Sequence, residues 1–289
     1  MTSDRSSSNP TVLQFAVLAL CALALAACGD AGGDPRAGTA YVFALDSELE
    51  STQGSVKSEI EGRTELGYRN VVSGNELMLE LDRIAARAIV DGEVVADSTL
   101  SRDGIRVLRL EGVSETAAAD ATDEQREMLN STFGTPLVKI TLGPEGADLE
   151  RSLVGPERGG NLIDDGLIDA MRFFHVRFPD EAQWSEERRF GVGNGMLASG
   201  KLEYSKRAPE GSSVVVDVSG ELGGRGTQSG QMIRNARYTV SGTQTFDLER
   251  GEWASGELTI EVSYELFNPH APGGSATGRL VATLERSSS

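Results

Sequence analysis

The chain of 289 residues carries a formal net charge of −17 at pH 7, with 39% hydrophobic and 6% aromatic residues. That length supports one sizeable core, and so acidic a chain repels nucleic acid and anionic membrane surfaces. Its two cysteines, Cys21 and Cys28, both lie in the first thirty residues, which excludes disulfides, thiol catalysis and cysteine-held metals from the rest.

An apolar run extends from Val12 to Ala27, broken only by Gln14. A helix crossing about 30 Å of hydrocarbon needs about twenty residues, so this run is short for a span and suited to the core of an export signal. Arg5 precedes it, and the small residues Ala26 and Ala27 end it. Leu25-Ala26-Ala27-Cys28 resembles the lipobox of bacterial lipoproteins. The resemblance implies that the Cys28 thiol receives diacylglycerol, that residues 1–27 are cut away as a signal peptide, and that the new terminus is acylated. Two or more acyl chains hold a protein stably on a bilayer. In such lipoproteins an Asp after the cysteine favours inner-membrane retention. Gly29 stands here, with Asp30 one further on, which implies the outer membrane.

Residues 28–40 are small, polar and rich in Gly, and read as a lipidated N-terminus and flexible tether. Residues 41–289 read as a single β-rich domain. Tyr41, Phe43 and Leu45 alternate with smaller residues, as in a strand buried on one face. Ser73-Gly74-Asn75, Asp91-Gly92 and Arg102-Asp103-Gly104 punctuate a meander of antiparallel strands, in which Leu77, Leu79, Leu81 and Ile84 share one edge. "ATDEQREMLNSTFG" predicts a helix with a Thr122/Gln125 capping box and Pro136 beyond its end. "PLVKITL" and "ADLERSLVG" predict a hairpin. A second helix is predicted over 161–175, where Ile163, Leu167, Met171 and Phe174 fall on one apolar face. Five strands follow, in "LASGKLEYSKR", "SSVVVDVSGEL", "ARYTVSGTQTFDL", "WASGELTIEVSYELF" and "GRLVATLE". The recurrent Ser-Gly at 73, 199, 219, 229, 241 and 255 reads as strand-end punctuation, and 220–231 as a mobile loop.

Such an order predicts an α+β, mostly β fold: a strongly curved antiparallel sheet, or half-barrel, with about two helices on its concave face. The arrangement resembles the half-barrel of periplasmic lipoprotein carriers and related lipid-binding lipoproteins. It is also similar to uncharacterised secreted bacterial proteins that join an "fP…W" segment to a hairpin of the form G-T-x-T-F-D-x-x-x-G. Phe178-Pro179 with Trp184, and "GTQTFDLERGEWASGELTIEV", carry that similarity.

Tests for chemistry return no catalytic, cofactor or metal motif. His175 and His270 have no metal-binding spacing around them, and no G-x-S-x-G elbow is present. "GVGNG" and "GGRGTQSG" lack the dinucleotide and phosphate-loop patterns. Glu186-Glu187 beside Trp184, and Asp247 with Glu249, are the carboxylates that a cleft would use, but nothing sets their separation. "NLIDDG" lacks the spacing of a calcium loop.

Three expectations follow. The first is a non-enzymatic envelope protein, anchored to the membrane through Cys28, that binds or carries a lipid or other hydrophobic ligand. Ile163, Leu167, Met171 and Phe174 would touch that ligand, with no cofactor and no nucleic acid involved. The second is an interaction protein with a filled core, docking by an edge strand or the 220–231 segment. The third is an enzyme acting on envelope glycans.

Overall fold

The structure is a computed structural model that describes residues 39–73, 76–109, 112–134, 136–142, 148–153, 173–174, 178–191, 197–228, 231–267 and 273–287. The chain is mostly β. Its first half supplies β1 (Thr39–Gln53), β2 (Val56–Ser73), β3 (Glu76–Val90), β4 (Glu93–Ser101), β5 (Gly104–Arg109) and β6 (Gly112–Ala117). A 3-10 turn at Ala118–Asp120 leads to helix α1 (Asp123–Thr132), then β7 (Pro136–Leu142) and β8 (Asp148–Leu153). The second half supplies β9 (Gln183–Gly191), β10 (Leu197–Lys206), β11 (Ser213–Gln228), β12 (Gln231–Asp247), β13 (Glu252–Phe267) and β14 (Gly274–Arg286).

All the strands join one open antiparallel sheet. Twelve run in the order β6-β5-β4-β3-β2-β1-β14-β13-β12-β11-β10-β9. The β7–β8 hairpin branches off, because β7 pairs with the first five residues of β3 while β4 pairs with the last eight. Each half is thus a meander, and the two meet where β1 pairs with β14 from Tyr41↔Arg286 to Gln53↔Gly274.

Alternation makes one face of the sheet apolar. Tyr41 and Phe43 on β1, Leu66 and Tyr68 on β2, Val214, Val216 and Val218 on β11, and Leu280, Ala282 and Leu284 on β14 all lie on that buried face. On β3 the buried apolar side chains run Leu79, Leu81, then Ile84, one step out of alternation. A bulge explains the step: Tyr68 opposes Leu81 and Gly67 opposes Arg83, so Asp82 is the extra residue. The opposite face carries charge, as in the chain Asp46–Arg63 (2.7 Å), Arg63–Glu65 (3.5 Å) and Glu65–Arg83 (3.4 Å) across β1, β2 and β3. Exposed pairs of this kind contribute at most about 1 kcal/mol each.

Local signals explain the turns. Asp91 and Gly92 have φ of 51° and 83°, both in the left-handed region that a two-residue hairpin turn demands. The capping box of α1 is formed as the sequence predicts: the Thr122 side chain accepts from the Gln125 amide, and the Gln125 side chain accepts from the Thr122 amide. Leu129 and the next-turn Phe133 plug the helix into the buried face, and the Gly134 amide donates to the Leu81 carbonyl at 2.9 Å.

One expectation falls almost wholly outside the described residues, and three change. One α-helix lies among the described residues. The helix predicted over 161–175 falls outside them except for Phe173 and Phe174, which form a turn and a bend. The 220–231 segment is not a loop as far as it is described: β11 continues to Gln228 and β12 starts at Gln231. Gly220, Gly223 and Gly224 pair on both sides, with β10 and β12, and ladder hydrogen bonds hold them extended. The Ser-Gly pairs at 199, 219, 241 and 255 lie inside β10 to β13 rather than at strand ends. Finally, β9 is a strand that apolar periodicity does not predict, because Glu186 and Arg188 occupy its inward-facing positions.

Candidate functional site

The glycines of those Ser-Gly pairs form a pattern. Gly200 opposes Leu222, Gly220 opposes Val240, Gly242 opposes Leu258 and Gly256 opposes Gln244. From strand to strand, each glycine therefore lies two residues nearer the end of the sheet where β1 begins. All four share the buried face, so they make a diagonal row with no side chains. Strands approach closely there: a Cβ on Gly200 would lie 2.2 Å from the Glu221 carbonyl oxygen, and one on Gly220 2.3 Å from that of Lys201.

Phe174 closes the row. Its ring lies where a Cβ on Gly256 would sit, at 2.7 Å from two ring carbons, and meets Phe43 edge-on at 6.1 Å. Gln244, opposite Gly256 and fully buried, donates from its side-chain nitrogen to the Phe173 carbonyl at 2.5 Å. Its Oε1 has no hydrogen-bond partner among the described residues.

Phe178 begins a second aromatic group at the β12–β13 end of the sheet. Phe178 stacks on Phe246 at 3.9 Å and meets Trp253 edge-on at 5.9 Å, while Phe246 and Trp253 contact each other at 5.1 Å. Lys206 holds this segment from β10: its ammonium lies 3.9 Å from the centre of the Phe178 ring and donates to the Pro179 carbonyl. Trp184 then stacks on Tyr204 at 4.9 Å. The two sequence motifs, Phe178-Pro179…Trp184 and "GTQTFDLERGEW", thus form one cluster. The Tyr41 hydroxyl joins it by donating to the Trp253 carbonyl at 3.0 Å, and burial pushes that phenol well above its ordinary range.

Charged residues tie down the same end. Arg286 donates to Glu252 at 3.1 Å and to Asp247 at 3.0 Å, and Thr39 donates to Glu252 at 2.6 Å. Asp247 also accepts from the Glu249 and Arg250 amides, so it caps the β12–β13 turn. Desolvation raises its carboxyl, but the Arg250 amide, the Arg286 guanidinium and the Glu249 amide outweigh it and hold the group below its ordinary 3.8. A depressed carboxylate stabilises the fold at pH above the unfolded value, and that contribution disappears as pH falls through the folded one. Urea midpoints should therefore be higher for wild type than for Asp247→Asn at pH 7, and should converge below pH 3.8. A constant gap down to pH 2 would contradict the linkage.

Other candidates separate. Asp247 and Glu249 belong to the β12–β13 turn. Glu186, on β9, pairs with Arg188, and Glu187 points to the opposite face and is exposed. These two carboxylate groups are not brought together. Phe174 is fully buried, and Ile163, Leu167, Met171, His175, His270 and Cys28 lie outside the described residues. Among the described residues, no group of three or more His, Cys, Asp and Glu is placed to hold a metal ion.

Two open depressions lie elsewhere. One, of about 550 Å³, is lined by Glu48, Glu50, Glu59, Glu61 and Glu261 around Arg279. There Glu48 opposes Glu61 and Glu50 opposes Glu59. The other, of about 910 Å³, lies along β11 and β12 at the far end, lined by Gly223 to Gly226 and Met232 to Ala236. Next to it Arg234 covers the exposed Phe267 ring at 4.0 Å. Sequence reading passed over Gln244 and the glycine row, whose only sequence signal is the regular recurrence of Ser-Gly on successive strands.

No protein-family model matches the chain, and no curated protein does. Among solved structures it is similar to lipovitellin, a structure described for its lipid–protein interactions, at 8% identity and a TM-score of 0.45. That match covers 88% of this chain and 26% of lipovitellin, so the chain spans about a quarter of that protein's length. The β domain of the Bordetella autotransporter BrkA aligns over 86% of this chain and 99% of its own, at 9% identity and a TM-score of 0.22. OpdK of Pseudomonas aeruginosa, determined with vanillate, aligns over 85% and 98% at 7% identity and a TM-score of 0.20.

Proposed function

We propose that this chain is a lipid-anchored, non-enzymatic protein of the bacterial cell envelope, held by Cys28, whose filled sheet serves as a docking scaffold. Packing of the buried face carries this reading. Phe43, Leu66, Tyr68, Phe174, Leu202, Val216, Tyr238 and Leu258 are sealed from solvent completely, and a cavity for an acyl chain would leave such walls accessible. The bulges in β2–β3, β3–β4, β11–β12 and β12–β13 and the glycine row support a sheet curled into a half-barrel around that filling. Gly29 after Cys28 supports the outer membrane as its location.

A second reading, a carrier of a hydrophobic ligand, has one observation in its favour: the fully buried Gln244 Oε1 lacks a donor among the described residues. Lipid extraction separates the two. The whole chain, taken from membranes in mild detergent, should release no lipid beyond the one bonded to Cys28. A lipid recovered in stoichiometric amount would replace docking by carriage. Anchoring has its own test. Cys28→Ser should remain unlipidated and uncut, read from the intact mass, and a mutant processed and membrane-bound like wild type would end the anchor proposal.

A further inference from the structure

Among the described residues, one pair of exposed large apolar side chains sits directly opposed across neighbouring strands. Met232 on β12 opposes Phe267 on β13, and they are 42% and 38% exposed. The depression of about 910 Å³ at the far end of the sheet takes in Met232 together with Arg225, Arg234 and Asn235.

A bulge shapes this place. Gly224 opposes Ala236 and Gly226 opposes Ile233, so Arg225 alone faces Arg234 and Asn235. Ile233 and Ala236 are buried, and the residues between them are exposed, as is Arg225. Both arginines therefore stand on the face that carries Met232 and Phe267. Asn235 is the extra residue, and its φ of 52° lies in the left-handed region. The bulge also diverts a carboxylate. Glu265 opposes Arg234 in register, yet it accepts from the Asn235 side chain at 3.0 Å. The Arg234 guanidinium lies instead 4.0 Å from the centre of the Phe267 ring. Arg225 and Arg234 thus face each other, and neither has an ion pair among the described residues. The next arginine on β12, Arg237, does pair, with Glu221 at 3.7 Å. Facing like charges destabilise a strand pair, and a chain with a net charge of −17 has carboxylates to spare.

Two facing guanidiniums match one phosphate, whose oxygens accept from both. We propose that this end of the exposed face binds a lipid phosphate. Arg225 and Arg234 hold the phosphate, and Met232 and Phe267 take the adjoining part of the alkyl chain. Each half needs the other. The field of so acidic a chain works against a free anion, and one exposed apolar pair is too small to hold a neutral chain alone. This site goes beyond the docking reading and is separate from the filled face. An open groove exchanges its ligand with detergent, so extraction in detergent reports on the buried face and not on this one.

The test uses the full chain in phosphatidylcholine vesicles, with a cysteine reporter in place of Gly223, which lines the groove. A Cβ there meets only the Ala236 carbonyl oxygen, at 3.9 Å, so the reporter fits. Val56→Cys, exposed at the start of β2, is the control. Maleimide modification at each position is followed by mass spectrometry. Octyl phosphate should slow modification of Gly223→Cys about tenfold and leave Val56→Cys unchanged. Octanol and inorganic phosphate, at the same concentration, should protect neither. Arg225→Gln/Arg234→Gln in the reporter chain should abolish the protection, with protease resistance reporting its fold. If that variant unfolds, the three-ligand comparison in the chain with both arginines still decides. The proposal is overturned by no protection from octyl phosphate, by equal slowing at Val56→Cys, or by full protection in the folded Gln variant. It is overturned equally by octanol protecting as well, which would mean an apolar groove alone, or by inorganic phosphate doing so, which would mean an anion site without a lipid. None of these outcomes touches the docking reading, which stands or falls on lipid extraction.

Discussion

Gly242→Ala should unfold the protein or lower its stability by about 4 kcal/mol or more, in the range reserved for severe single substitutions. Gly242 has φ of 155°, outside the regions that L side chains occupy readily, and an added Cβ would lie 2.1 Å from the Glu257 carbonyl oxygen and 2.9 Å from the Leu258 Cα. The neighbour is backbone in a paired strand, so it can yield only by breaking the β12–β13 ladder. Gly92→Ala is the matched control. Gly92 has φ of 83° with nothing within 4 Å of an added Cβ, so backbone strain is its whole cost, about 1–2 kcal/mol. Urea unfolding at pH 7, followed by tryptophan fluorescence, measures both. Equal midpoints would show that the close approach of β12 and β13 at this point is not real.

The contrast between these glycines also shows what the sequence displays and what it hides. Asp91-Gly92 is legible because its turn is local: two residues with positive φ suffice, and the residue types that tolerate them are few. The capping box of α1 is legible for the same reason, since Thr122 and Gln125 satisfy each other's backbone within one turn. Gly200, Gly220, Gly242 and Gly256 look identical to turn glycines in sequence. Their role depends on register with residues 12 to 22 positions away on the next strand, which no short window contains. β9 is hidden for a different reason. Its inward positions hold Trp184, Glu186 and Arg188, and an edge strand can place an ion pair where a central strand needs apolar side chains. The β1–β14 pairing is equally invisible locally, because it joins the two ends of the described chain.

The candidate site divides along the same line. Phe178-Pro179, Trp184 and the "TFDLERGEW" hairpin stand out in the sequence, and the structure brings Phe178, Phe246 and Trp253 together in one aromatic cluster. The motifs encode packing at the end of the sheet. Gln244 lies two residues before Phe246 in the same motif, yet its burial depends on Phe173 from a segment 71 residues away.

Phe174→Ala should cost about 3–5 kcal/mol, the range for truncating a fully buried phenylalanine. The informative experiment joins it to Gly256→Ala. Alone, the methyl group at 256 would sit 2.7 Å from two carbons of the Phe174 ring and 3.2 Å from Gln244 Cγ. The ring is held between Phe43 and the sheet, so it cannot swing aside as the end of a flexible chain would, and Gly256→Ala should itself be clearly destabilising. Overpacking of this kind costs about 1–3 kcal/mol. With Phe174 already truncated, the clash is gone and the new methyl group fills part of the cavity. The double variant should therefore be more stable than the sum of the two losses by about 1 kcal/mol or more, a coupling that residues in contact show and distant ones do not. Denaturant midpoints of the four proteins close the cycle. Additive losses would mean that Phe174 does not rest on Gly256.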